Sequence, residues 1–166
     1  RGYREMIWIN FCRNGGKDAC FFTFSHALFS ISHLSMFLGE AVQFTRKIKG
    51  NTVPFTIVGW GHKPTADKAR CYALKHNLPY IALEDGFLRS LDLGCKGAQP
   101  LSLVVDHTGI YYDATGPSDL ENLLNGSGGD SEGQLQSAQH AIEAIKRHDL
   151  SKYNHAPRAA ERLLGD

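Results

Sequence analysis

The sequence predicts an α/β fold, a three-layer lobe built on a mainly parallel sheet, and a strand–helix–strand unit in mid-chain carries that prediction. Val53 to Trp60 is an apolar run rich in β-formers, and Tyr80 to Leu83 is a second, shorter one. Between them Ala69, Tyr72, Ala73 and His76 fall at the spacing of one helix face. Thr65, just after Pro64, suits the start of that helix; Asn77 suits a left-handed stop, and Pro79 prevents continuation. Two strands joined by a single helix pair in parallel through a right-handed crossover.

The remaining elements follow in order. Ile7 to Phe11 reads as a short strand and Arg13 to Asp18 as a turn, within a segment 1–24 that is otherwise difficult to read. Ile31, Leu34, Phe37, Leu38, Ala41 and Val42 form a helical stripe, with Gly50-Asn51 as its breaker. Leu101 to Asp106 and Ile110 to Asp113 read as two strands around His107-Thr108-Gly109, a hairpin. Ser118-Asp119-Leu120-Glu121 is a capping box that opens a helix through Leu124. The glycine- and serine-rich stretch 125–133 is a flexible connection to an amphipathic helix that uses Leu135, Ala138, Ile142 and Ile145. Residues 150–166 are polar.

Eighteen basic against seventeen acidic residues in a chain of 166 leave no excess to neutralise phosphates, which argues against nucleic acid as a partner. Cys12, Cys20, Cys71 and Cys95 form no CxxC pair and no zinc-ligand spacing, so no metal is expected and the thiols read as structural in a reducing compartment. The apolar stretch 21–39 carries four serines and two histidines, a poor composition for a membrane span. GxGxxG and GxSxG are both absent, which disfavours nicotinamide dehydrogenases and α/β-hydrolases.

Ligands of open α/β sheets bind at the carboxyl edges of the strands, and two such edges are rich here. In Gly59-Trp60-Gly61-His62-Lys63-Pro64, glycines permit close backbone approach ahead of a helix N-terminus that favours anions. His62 and Lys63 are the candidate binders, although a solvated turn would have the same composition. In Glu84-Asp85-Gly86-Phe87-Leu88-Arg89-Ser90, Glu84 or Asp85 could act as acid or base, and Arg89 could hold a carboxylate or phosphate in a fork, with Ser90 beside it. A structural Glu–Arg pair that orients the loop is the alternative. Asp106-His107-Thr108-Gly109 is read as turn chemistry.

These same segments, followed by Pro100 to Asp106, Gly109 to Ala114 and Leu150 to Asn154, occur in an order that resembles the KpsC-type capsule polysaccharide proteins of Gram-negative bacteria. The resemblance spans residues 28–157 and is nearest the family's amino-terminal module. It implies a Rossmann-like lobe of a GT-B-like glycosyltransferase, occupying 25–149, with 1–24 unmatched and 150–166 leading to a second lobe. The implied reaction is retaining transfer of Kdo, an eight-carbon acidic sugar, from CMP-Kdo to a Kdo acceptor on a lysophospholipid. Catalytic residues are not assigned, because the family's nucleophilic aspartate is expected beyond Asp166, and the piece alone is expected to be inactive. Substrate binding is assigned to His62, Lys63, Glu84, Asp85, Arg89 and Ser90, with loss of Arg89 expected to lower transfer before stability. No cofactor is expected. The implied setting is the cytoplasmic face of the inner membrane, peripheral, with the capsule assembly machinery. The alternative is a non-catalytic assembly or export component that binds the lipid-linked glycan.

Overall fold

The computed structural model describes residues 20–39, 41–45, 55–126 and 131–153. The strand expected at Ile7 to Phe11, the turn at Arg13 to Asp18 and the Gly50-Asn51 breaker lie outside these residues. Strands β1 (Cys20–Thr23), β2 (Val42–Phe44), β3 (Phe55–Trp60), β4 (Tyr80–Asp85) and β5 (Leu103–Asp106) form one sheet in the order β2-β1-β3-β4-β5. The pairs β1–β2, β1–β3 and β3–β4 are all parallel. The chain therefore builds outward from β1 to one side and from β3 to the other. That reversal lies at β1 and β3, and ligands of doubly wound sheets usually bind beyond the carboxyl ends of the strands at such a point.

The central unit forms as its sequence predicts. In β3, Ile57 and Val58 are fully buried, as are Leu83 in β4 and Ala66 and Ala69 on the helix between them, α3 (Pro64–Lys75). Small residues on that face of α3 let the helix lie close to the sheet, where Ala69 and Ala73 join Phe24, Phe55 and Ile57 in one apolar cluster. Gly59 serves the same closeness, since a Cβ there would meet the Tyr80 hydroxyl at 2.3 Å and Ala66 Cβ at 3.0 Å. The helix starts at Pro64, one residue before Thr65, with Lys63 as N-cap and Pro64 inside the first turn, where its missing N–H costs nothing. Asn77 takes the left-handed conformation at φ +52° after the helix ends. His76, expected on the inner face, is exposed.

Two expectations are corrected. The stripe from Ile31 to Val42 is not one helix: α1 spans His26–Phe29, α2 spans Leu34–Leu38, and Gly39 at φ +80° ends α2 so that Val42 enters β2. Ser25 caps α1 by accepting a bond from the Leu28 amide. The hairpin is also absent, because Ile110 to Asp113 forms a loop. The cause is Asp106, whose Oδ1 accepts from the amides of Thr108 (3.0 Å), Gly109 (2.7 Å) and Asp119 (3.2 Å) and so turns the chain away from β5. Backbone polar groups captured by a side chain are not available to a strand ladder.

The residues divide into two compact units, 1–84 with 105–122 and 85–104 with 123–166. In the second, α5 (Glu132–Arg147) carries a full capping box between Ser131 and Gln134, yet no residue of the helix is buried. Its expected apolar face, Leu135, Ile142 and Ile145, is exposed. The helix α4 (Asp119–Asn125) begins after Ser118, whose hydroxyl accepts from the Glu121 amide.

Candidate functional site

In the first unit the loop after β3 is fixed from several sides. Gly61 donates to the Leu83 carbonyl at 2.9 Å, and its own carbonyl accepts from Arg70 Nη1 on α3 at 2.8 Å. Arg70 also pairs with Asp67 one turn earlier. The backbone at Gly61 is left-handed, φ +46°, a conformation glycine adopts without a Cβ penalty. His62 and Lys63 are thereby held out at the sheet edge, both exposed, and Lys63 Nζ lies 5.6 Å from the Trp60 ring centroid.

Glu84 lies at the centre of this edge. Trp60 Nε1 donates to its Oε1 at 3.0 Å, and the Tyr112 hydroxyl donates to its Oε2 at 3.3 Å. The Tyr112 ring lies edge to face with His62, centroids 5.5 Å apart, and His62 Nε2 is 3.3 Å from Asp113 Oδ2. Burial, and then the neighbouring Glu84 carboxylate, push the Tyr112 phenol above its ordinary range. The Asp113 carboxyl is held below its ordinary range, first by the hydroxyl and amide of Thr115 and then by His62. The result is a carboxylate oriented by two neutral donors, with an imidazole–carboxylate pair beside it and a lysine at the rim. Such a group can accept a sugar hydroxyl, or take a proton from one, while the rim attracts anions.

His62, Lys63 and Glu84 are thus the sequence-predicted residues that gather at one place. Trp60, Tyr112 and Asp113 join them and were not foreseen. The sequence places Tyr112 and Asp113 in half of a hairpin, and the loop set by Asp106 brings them instead to Glu84.

Asp85, Arg89 and Ser90 are bonded to one another in the second unit. Arg89 Nε donates to Asp85 Oδ1 at 2.5 Å, and Nη1 donates to Ser90 Oγ and the Ala98 carbonyl, each at 2.9 Å. Ser90 Oγ donates in turn to the Asp92 carbonyl at 2.5 Å. Arg89 is buried, and Gly94 packs so closely that a Cβ would lie 2.4 Å from Nη2. The guanidinium fastens the loop 90–98, and its ion partner is Asp85, where the sequence had paired it with Glu. Successive strand residues point to opposite faces, so Glu84 and Asp85 diverge although adjacent.

Residues 56–164 match the family described as Capsule polysaccharide biosynthesis protein. The capsule polysaccharide modification protein LipA of Neisseria meningitidis serogroup B is 47% identical over 82% of the chain. The lipopolysaccharide-processing protein LpsZ of Rhizobium meliloti is 42% identical over 61%. The chain spans 19% and 23% of these two relatives. Among solved structures, the β-Kdo 2,4 transferase of Thermosulfurimonas dismutans KpsC superposes with TM-score 0.78 at 45% identity, covering 86% of this chain and 44% of that one. The β-Kdo 2,7 transferase of the same KpsC gives TM-score 0.53 at 27% identity, covering 86% and 45%.

Proposed function

Because the chain belongs to the capsule polysaccharide biosynthesis protein family, we propose that it forms the amino-terminal lobe of a retaining transferase that moves Kdo from CMP-Kdo to a Kdo acceptor on a lysophospholipid. The observation that carries this reading is the likeness, in sequence and in fold, to a protein titled β-Kdo 2,4 transferase. In the proposed reaction a nucleophile beyond Asp166 bonds to the anomeric carbon as the bond to CMP breaks. An acceptor hydroxyl then displaces the nucleophile, and two inversions retain the configuration. The donor brings its own activation, so no cofactor is assigned.

Within this lobe Glu84 is proposed to receive a sugar hydroxyl, held in position by Trp60 and Tyr112. His62 and Lys63 are proposed to meet the negative charge of Kdo or CMP, which fits their exposure at the edge. Asp85, Arg89 and Ser90 are proposed to shape the loop that follows β4. Among the described residues no helix is long and apolar enough to cross a membrane. The reaction is assigned to the cytoplasmic face of the inner membrane, through its lipid acceptor and the capsule assembly machinery.

The test is incubation of the full-length protein with CMP-Kdo and a synthetic Kdo-bearing lipid, read by mass spectrometry. An acceptor extended by one Kdo is expected, and the 166 residues alone should give none. CMP-Kdo left intact by the full-length protein would favour a non-catalytic, glycan-binding role.

A further inference from the structure

The loop that brings Tyr112 and Asp113 to the edge is closed at one buried atom. Asp106 is 1% exposed, and its Oδ1 takes all three of its amide bonds: Thr108 and Gly109 at the start of the loop and Asp119 at its end. Its Oδ2 is buried too and has no hydrogen-bond partner. The loop is closed a second time by Asp119, which accepts from the His107 amide at 2.7 Å and from the Thr108 hydroxyl. Two steric features define the path between: Ile110 is buried, and a Cβ on Gly109 would lie 2.3 Å from the Pro117 carbonyl oxygen. Everything the loop contributes to the edge, the Tyr112 bond to Glu84 and the Asp113 pair with His62, hangs from this closure.

We infer that Asp106 is a positioning residue for sugar transfer, acting through one carboxylate oxygen that ties both ends of the 107–118 loop and thereby sets Tyr112 against Glu84. The inference rests on the proposed transferase reading. What the site uses is an acceptor at the Oδ1 position, since the second oxygen bonds to nothing. Asparagine can supply that acceptor, with weaker bonds because its oxygen is neutral, and alanine cannot.

The experiment compares Asp106→Ala, Asp106→Asn, Tyr112→Phe and the double variant Asp106→Ala/Tyr112→Phe in the full-length protein. Amide exchange and kcat/KM for transfer to the Kdo-lipid are measured on each. Alanine should speed exchange at Thr108, Gly109 and Asp119 while leaving Val58 and Ala82 in the sheet protected. It should lower kcat/KM by about 100-fold, the scale of a displaced site group. Adding Tyr112→Phe should lower it no further, because the hydroxyl is already out of place. Asparagine should stay within about tenfold of wild type on both measures. Unchanged exchange at the three amides in the alanine variant, additive losses in the double variant, or an asparagine variant as impaired as alanine would each overturn the inference. Should alanine prevent folding, asparagine decides alone: faster exchange confined to those three amides supports the tie, and none overturns it. A wild type without transfer activity would sink the transferase reading, and the exchange measurements would then decide the tie by themselves.

Discussion

A Cβ on Gly61 would lie 2.3 Å from the Tyr112 hydroxyl oxygen and 2.5 Å from Glu84 Oε2, at a backbone φ of +46°. Gly61→Ala should therefore cost about 1–2 kcal/mol from backbone conformation alone and also push Tyr112 from Glu84. Urea unfolding together with the transfer assay checks both parts. Gly97→Ala is the control, since φ there is +88° but nothing lies within 4 Å; it should lose stability and keep activity. Arg89 carries a different expectation from the one its sequence invited. Removing it breaks the mostly buried ion pair with Asp85 and the bonds to Ser90 Oγ and the Ala98 carbonyl, so Arg89→Ala should destabilise by about 3–5 kcal/mol and lose activity together with fold. Asp85→Ala in the same chain should recover part of the stability, read from the unfolding midpoint. Asp113 sets a pH dependence. Its carboxyl is depressed below the ordinary 3.8, so its contribution is present above that value and is lost as pH falls through the lower, folded value. Melting temperatures followed from about pH 5 down to about pH 2 should fall less steeply in Asp113→Asn than in wild type.

At the scale of elements, the packing of α3 on the sheet makes the firmest forecast. Ala69 is fully buried against Phe24, Phe55 and Ile57. Ala69→Leu should cost about 1–3 kcal/mol by overpacking, measured by denaturant unfolding, whereas the same change at exposed Cys71 should be close to neutral. The β3–α3–β4 unit was legible because its signals agree: apolar runs of strand length, a helical face of small residues, and stops at Asn77 and Pro79. β1 was not, because only Phe24 and the cap Ser25 separate Cys20 to Thr23 from α1, and a four-residue strand is too short for its period to stand out beside that helix. The turn within the expected Ile31–Val42 helix was hidden for a related reason: Gly39 was the only local mark of a stop. The site was half legible. Its strand-end residues His62, Lys63 and Glu84 follow from the fold class, while Tyr112 and Asp113 depend on bonds to the Asp106 side chain that leave no period in the sequence.

Among the described residues, the earliest strand of the five-stranded sheet lies inside and not at an edge. That placement has a consequence for the order of assembly. β3 and β4 are joined by one short helix, so their register, Ile57 with Tyr80 through Trp60 with Leu83, closes a small loop of chain. β1 must find β3 from farther away, Cys20 against Phe55 through Thr23 against Val58, a separation of 35 residues against 23, and β2 can pair only once β1 is seated. Closure entropy grows with the length enclosed, so the nearer pairing should come first. The β3–α3–β4 segment should accordingly be formed in the folding transition state, with β1 and β2 added late. In kinetics of the folded unit, Ile57→Val and Ala73→Gly should slow folding, with φ-values above about 0.5, whereas Phe22→Leu should mainly speed unfolding, with φ-values below about 0.3. The reverse pattern would mean that folding starts from β1, and that the β1–β3 pairing exists before the edge that bears Glu84.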